Sequence, residues 1–118
     1  MRIEKERDGD VTVLDIQGVI KLGESAREFS GYLEKVLTEE QGQVLINFEG
    51  INYMDSTGLG ELIGYLQKFE DRNRKMALLK PNHRIQALLR ITKLDTVFRI
   101  FDAREEALSW LTFREEDA

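Results

Sequence analysis

Val44-Leu45-Ile46-Asn47-Phe48 is a short, almost wholly apolar run, the pattern of a strand covered on both faces rather than one that alternates between core and water. Beyond it, Leu59, Leu62, Ile63, Leu66 and Phe69 fall three or four residues apart, the stripe of an amphipathic helix, which gives way to the polar turn Asp71-Arg72-Asn73-Arg74. Met76-Ala77-Leu78-Leu79 then fits a second strand. Strand, helix, strand in this order predicts a mixed sheet with helices packed against it.

Working outward preserves the pattern. Toward the N-terminus, Ala26, Phe29, Leu33, Val36 and Leu37 predict a helix stopped near Gly42, with Ser25 and Glu28 at the spacing of a capping box. Before it, Val11-Thr12-Val13-Leu14-Asp15-Ile16 is rich in β-branched residues, and Asp8-Gly9 offers a two-residue turn. Arg2 to Arg7 then forms the outer strand of a hairpin, its charges discouraging pairing with other chains. Toward the C-terminus, Pro81-Asn82 breaks the chain ahead of a helical pattern through Ile85, Leu88 and Leu89. Val97 to Phe101 reads as a short last strand. Asp102 with Glu105 is placed to cap a final helix through Ala103, Ala107, Leu108 and Leu111, with Trp110 on its flank and a frayed acidic tail from Glu115 to Ala118. The predicted order is β-β-α-β-α-β-α-β-α, in one α/β domain spanning 1–118 without repeat or linker.

Composition narrows the function. The 118 residues are 42% hydrophobic and 33% charged with a single proline, which suits a compact folded protein and not a disordered tail. Seventeen basic against 22 acidic residues give a net charge of −5 with no basic stripe, so direct nucleic-acid binding is not expected. No uncharged stretch approaches a membrane span, and the N-terminus has no apolar core of a leader, so no membrane insertion and a cytoplasmic location are expected. Without cysteine there is no thiol nucleophile or Cys-ligated zinc, and one histidine, His83, leaves little for a metal site.

The chemically informative stretch is Asn52-Tyr53-Met54-Asp55-Ser56-Thr57-Gly58-Leu59-Gly60, between the central strand and the second helix. Asp55, Ser56 and Thr57 are all good N-cap types, so one of them satisfying free backbone N–H groups explains part of the motif. Gly58, Gly60 and Gly64 remain unexplained, since glycine inside a helix costs about 1 kcal/mol relative to alanine. Gly60 and Gly64 lie off the Leu59/Leu62/Leu66 stripe, where another protein could approach the backbone; a close helix-to-sheet contact within the domain is the rival account. A phosphate on Ser56 would be accommodated by the helix N-terminus, yet would add about −1.5 to −2 charges beside Asp55. A partner docked there would meet bulk and repulsion, which makes the serine a candidate switch. Enzyme readings are weaker: the first glycine of a G-x-S-x-G elbow is missing, a triad would depend on His83 reaching Ser56, and Gly58-Leu59-Gly60 lacks the rest of a phosphate loop.

Asn47-Phe48 through Asp55-Ser56-Thr57-Gly58-Leu59-Gly60, between an apolar strand and an amphipathic helix, resembles the signature of the STAS domain, specifically of bacterial anti-sigma factor antagonists. Element order and spacing agree from about Val11 to Leu111, including Ile91-Thr92-Lys93-Leu94-Asp95 before the last strand. The resemblance implies a partner-switching regulator of transcription. The unmodified protein would bind an anti-sigma factor that is also a serine kinase, freeing the sigma factor; phosphorylation would block binding, and a protein phosphatase would restore it. Ser56 would be the phosphoacceptor, with Thr57 a minor alternative, and Lys21, Asp55, Ser56, Thr57, Gly58, Leu59, Gly60 and Gly64 would form or flank the partner surface. ATP and Mg²⁺ would belong to the kinase, leaving this chain without catalytic residues, metal or cofactor.

Two departures accompany the resemblance. Gly18-Val19-Ile20-Lys21 has lysine where several family members carry an acid, and near Ser56 that lysine would pair with a phosphate that an acid would repel. Thr57 stands where many members have a second serine. The alternative implied function is a non-switching accessory subunit of a transport ATPase or a signalling scaffold. A small hydrolase using Ser56 is the enzyme alternative.

Overall fold

The computed structural model describes residues 1–114, and the expected acidic tail, Glu115 to Ala118, lies outside them. Five strands form one sheet in the order β1-β2-β3-β4-β5: β1 (Arg2–Asp8), β2 (Val11–Ile20), β3 (Gln43–Met54), β4 (Met76–Leu79) and β5 (Arg99–Phe101). The first pair is antiparallel and the other three are parallel, as the mixed-sheet prediction requires. Helices α1 (Glu24–Glu39), α2 (Ser56–Asp71) and α3 (His83–Ile91) are the crossovers, and α4 (Arg104–Thr112) follows β5.

Sheet growth in a single direction, with crossovers of one hand, puts every crossover helix on the same face. Accordingly α1, α2 and α3 share the larger core with Leu14, Ile16, Val44, Ile46, Phe48, Met76 and Leu78. Among the described helices only α4, which follows β5, lies on the other face, where Ala107 and Leu111 pack on Val11, Val13, Leu45, Ala77 and Leu79. The two sets interleave along each strand, which is why Val44 to Ile46 and Met76 to Leu79 read as unbroken apolar runs.

The central strand is longer than its apolar run. Between the pairs Val11↔Gln43 and Ile20↔Met54, β2 advances nine residues while β3 advances eleven, with register shifts after Asp15 and after Gly18. The residues that β3 sends into the larger core are Val44, Ile46, Phe48, Ile51 and Met54, so their spacing changes from two to three after Phe48. These bulges carry β3 to the end of β2, so that the chain enters α2 beside the loop leaving β2.

Four local expectations are corrected. The hairpin turn is Gly9-Asp10 rather than Asp8-Gly9, because Asp8 still pairs with Val11 and the left-handed backbone falls on Gly9, φ 59°. Ser25 forms no capping box: α1 begins from Gly23, and the Ser25 hydroxyl turns back to accept from Lys21 N–H and donate to Lys21 C=O. Val97 and Phe98 precede β5, where their amides bond to Leu94 C=O and not to the sheet. Asp102 does not cap α4, whose N-cap is Ala103. Trp110 does pack on the flank of α4, its ring 6.0 Å from that of Phe101.

Candidate functional site

Asp55 leaves β3 in extended conformation and is the N-cap of α2, its Oδ1 accepting from Gly58 N–H at 3.0 Å. Of the three cap-type residues, only Asp55 carries that role. Its backbone N–H donates to Ile20 C=O at 3.1 Å, and its Oδ2 accepts from Leu22 N–H at 2.8 Å. One aspartate therefore fastens the end of β3, the first turn of α2 and the loop after β2. The N–H of Gly58 foremost, and then that of Leu22, hold the Asp55 carboxyl below its ordinary pKa, since both donate to the ionised form.

With the cap supplied by Asp55, Ser56 is left exposed at the first helical position, its hydroxyl without a hydrogen-bond partner among the described residues. Thr57, one position on, is half-buried. Lys21 is exposed in the loop that Asp55 fastens, so the structure brings Lys21, Asp55, Ser56 and Thr57 to one end of the sheet. Gly58 and Leu59 turn inward: Leu59 packs in the larger core, and a Cβ on Gly58 would meet Ile20 Cγ2 at 2.8 Å and Met54 Cγ at 3.0 Å. The close internal contact is thus made by Gly58. Around Gly60 and Gly64 a Cβ would find open space, so the helix flank they form faces outward.

Three residues near this end of the sheet are not among those expected to form the partner surface. Leu22 is 75% exposed beside Asp55, and Tyr53, just before it, is 45% exposed. Tyr53 also lines, with Met54, Arg84, Ile85 and Leu88, a groove of about 230 Å³ between the end of β3 and α3. Asn82 holds this groove in place: it caps α3 by accepting from Ile85 N–H and donates to Ile51 C=O and Asn52 C=O. An isolated leucine between Lys21 and Gly23, outside any periodic stripe, is the sequence signal for the first of these. His83 is exposed at the start of α3, and among the described residues no group of acids or histidine could hold a metal ion.

Comparison with known proteins matches residues 2–107 to the STAS domain. The chain belongs to the STAS domain family. An anti-sigma-B factor antagonist of Staphylococcus aureus is 34% identical over 77 residues, covering 62% of this chain and 71% of that protein. Among solved STAS structures, the Thermotoga maritima protein TM1081 has a TM-score of 0.87 at 21% identity, covering 94% of this chain and 95% of that one. The anti-sigma factor antagonist SpoIIAA of Bacillus has been solved both unphosphorylated and phosphorylated. Each form gives a TM-score of 0.72 at 18% identity, covering 91% and 92% of this chain and 94% and 98% of the respective SpoIIAA chains. These structures share the STAS fold with this chain. No helix among its described residues is long and apolar enough to cross a membrane.

Proposed function

We propose that this STAS domain is a cytoplasmic anti-sigma factor antagonist switched by phosphorylation of Ser56. Unmodified, it binds an anti-sigma factor that is also a serine kinase, and so frees the sigma factor. The kinase, with its own ATP and Mg²⁺, transfers a phosphoryl group to the Ser56 hydroxyl, the complex parts, and a protein phosphatase restores the serine. Thr57 is the minor alternative acceptor, and the partner surface comprises Lys21, Asp55, Ser56 and Thr57 with the flank of Gly60 and Gly64. Gly58 and Leu59 support that surface from inside. The chain itself is a substrate and a binder and supplies no catalytic residue.

The observation that carries this reading is the spare hydroxyl of Ser56, exposed and without a bond among the described residues because Asp55 already caps the helix. A serine needed for structure would be engaged in the cap. The antagonists among the relatives support the partner class, and the phosphorylated form of SpoIIAA supports the modification. The added phosphate would place about −1.5 to −2 charges one residue from Asp55, on a molecule already at −5. The test is incubation with the cognate kinase and ATP, followed by mapping of the modified residue by mass spectrometry. Phosphate on Ser56, absent from Ser56→Ala, is expected; phosphate elsewhere, or surviving in that variant, overturns the reading.

A further inference from the structure

The loop between β2 and α1 carries an apolar side chain into water. Leu22 is 75% exposed, yet its backbone is held: Leu22 N–H donates to Asp55 Oδ2 at 2.8 Å. The loop's other hydrogen bonds join Lys21 to the start of α1, through Lys21 N–H to Ser25 Oγ and Ala26 N–H to Lys21 C=O. Among the described residues, the bond from Leu22 is the one that ties this loop to the cap of α2. The same carboxylate uses its second oxygen on Gly58 N–H, so its orientation is fixed from two sides.

We infer that the Asp55 carboxylate is a clasp that presents Leu22 to the docking partner, and that a phosphate on Ser56 opens the clasp. The inference rests on Ser56 being the phosphoacceptor. A phosphate there competes for the first-turn N–H donors, which include the Gly58 N–H that Asp55 now holds. It also sets a dianion beside an ionised carboxylate, whose least costly response is to rotate away. Rotation that surrenders Gly58 N–H also removes Oδ2 from Leu22 N–H, because the two oxygens move as one group. The loop from Lys21 to Gly23 then loses its tie to α2, and Leu22 loses its fixed presentation. Modification thus changes the shape of the docking surface as well as its charge.

Amide exchange tests this without kinase or partner. Phosphoserine is installed at position 56 during synthesis of the full chain, and exchange at Leu22 is followed by ¹⁵N NMR. Glu40 N–H, bonded to Val36 C=O at 3.2 Å, serves as the reference. Exchange at Leu22 is expected to rise at least tenfold on phosphorylation while Glu40 is unchanged. Asp55→Ser keeps a one-oxygen cap for Gly58 but has nothing left for Leu22. This variant is expected to show the fast Leu22 exchange already and no further acceleration with phosphoserine. An unchanged Leu22 rate in the phosphorylated protein, or an equal acceleration in the Asp55→Ser background, overturns the inference. Either result leaves the Ser56 reading standing, because that reading is decided by where the kinase places its phosphate.

Discussion

Gly58 in the first turn of α2 lies so close to Ile20 at the end of β2 that a Cβ would come within 2.8 Å of the isoleucine Cγ2. Gly58→Ala is therefore expected to push α2 off the sheet and to lower stability by about 1–3 kcal/mol, as overpacking of a filled core does. Gly60→Ala and Gly64→Ala should act in the opposite direction, each raising stability by about 0.5–1 kcal/mol, since both meet open space in a helix. Denaturant unfolding of the three variants distinguishes them. If the outward flank is part of the partner surface, the two stabilised variants will also bind the anti-sigma factor more weakly.

Ser56→Ala should leave stability within about 0.5 kcal/mol of wild type, because the hydroxyl makes no bond among the described residues and the cap belongs to Asp55. Matching melting curves for the two proteins would check this. A large loss of stability would show that the serine serves the fold.

Asp55 makes stability depend on pH in a defined direction. Its folded pKa lies below the ordinary value because Gly58 N–H and then Leu22 N–H favour the carboxylate. The resulting stabilisation is complete above the unfolded pKa of about 3.9 and is lost as pH falls through the lower folded value. Glu40, whose pKa Lys5 lowers, adds a loss of the same sign. Comparison of wild type with Asp55→Asn isolates the first contribution. The gap between their urea midpoints should be constant from pH 7 to about pH 5 and close progressively at lower pH.

Arg74 is the C-terminal fastening of α1. Its guanidinium donates to Val36 C=O at 3.2 Å, Leu37 C=O at 2.9 Å and Gly42 C=O at 2.6 Å, and lies 4.6 Å from the Phe69 ring centre. Arg74→Met retains an apolar stem but takes the charged donor from Val36 C=O and Gly42 C=O, while Leu37 C=O keeps the Arg72 guanidinium at 3.0 Å. A loss of about 1.5–3 kcal/mol is expected in denaturant unfolding, with partner binding little changed, since Gly42 precedes β3 at the end of the sheet opposite Asp55.

The elements were most legible where one periodicity ran unbroken. Met76 to Leu79 is a strand with the bounds its apolar run suggests, and the stripes of α1, α2 and α3 pack into the core, with Ile63 and Leu88 only partly buried at its edge. Legibility failed at the bulges. From Ile51 to Met54 the inward residues of β3 fall three apart, so neither a strand's period nor a helix's is present, and Asn52-Tyr53-Met54 passed for a connection. Caps were ambiguous for a different reason: Ser25 and Asp102 have suitable side chains, but where the backbone enters a helix is set by the sheet register that delivers it. At the site, the residues from Asp55 to Thr57 were visible because they are adjacent in sequence. The partnership of Asp55 with Leu22 spans 33 positions and depends on the two bulges that align β3 with the end of β2.

The order β1-β2-β3-β4-β5 means that every strand lies beside the one synthesised before it. No later strand has to be threaded between two that have already paired, and each closure spans one crossover, whose entropic cost grows only as the logarithm of its length. The sheet can therefore assemble vectorially, starting from the β1-β2 hairpin, with α4 sealing the second face last. Asp55 reaches the β2 end midway through that sequence, so the end of the molecule that carries Ser56 is built before its C-terminal third has been laid down.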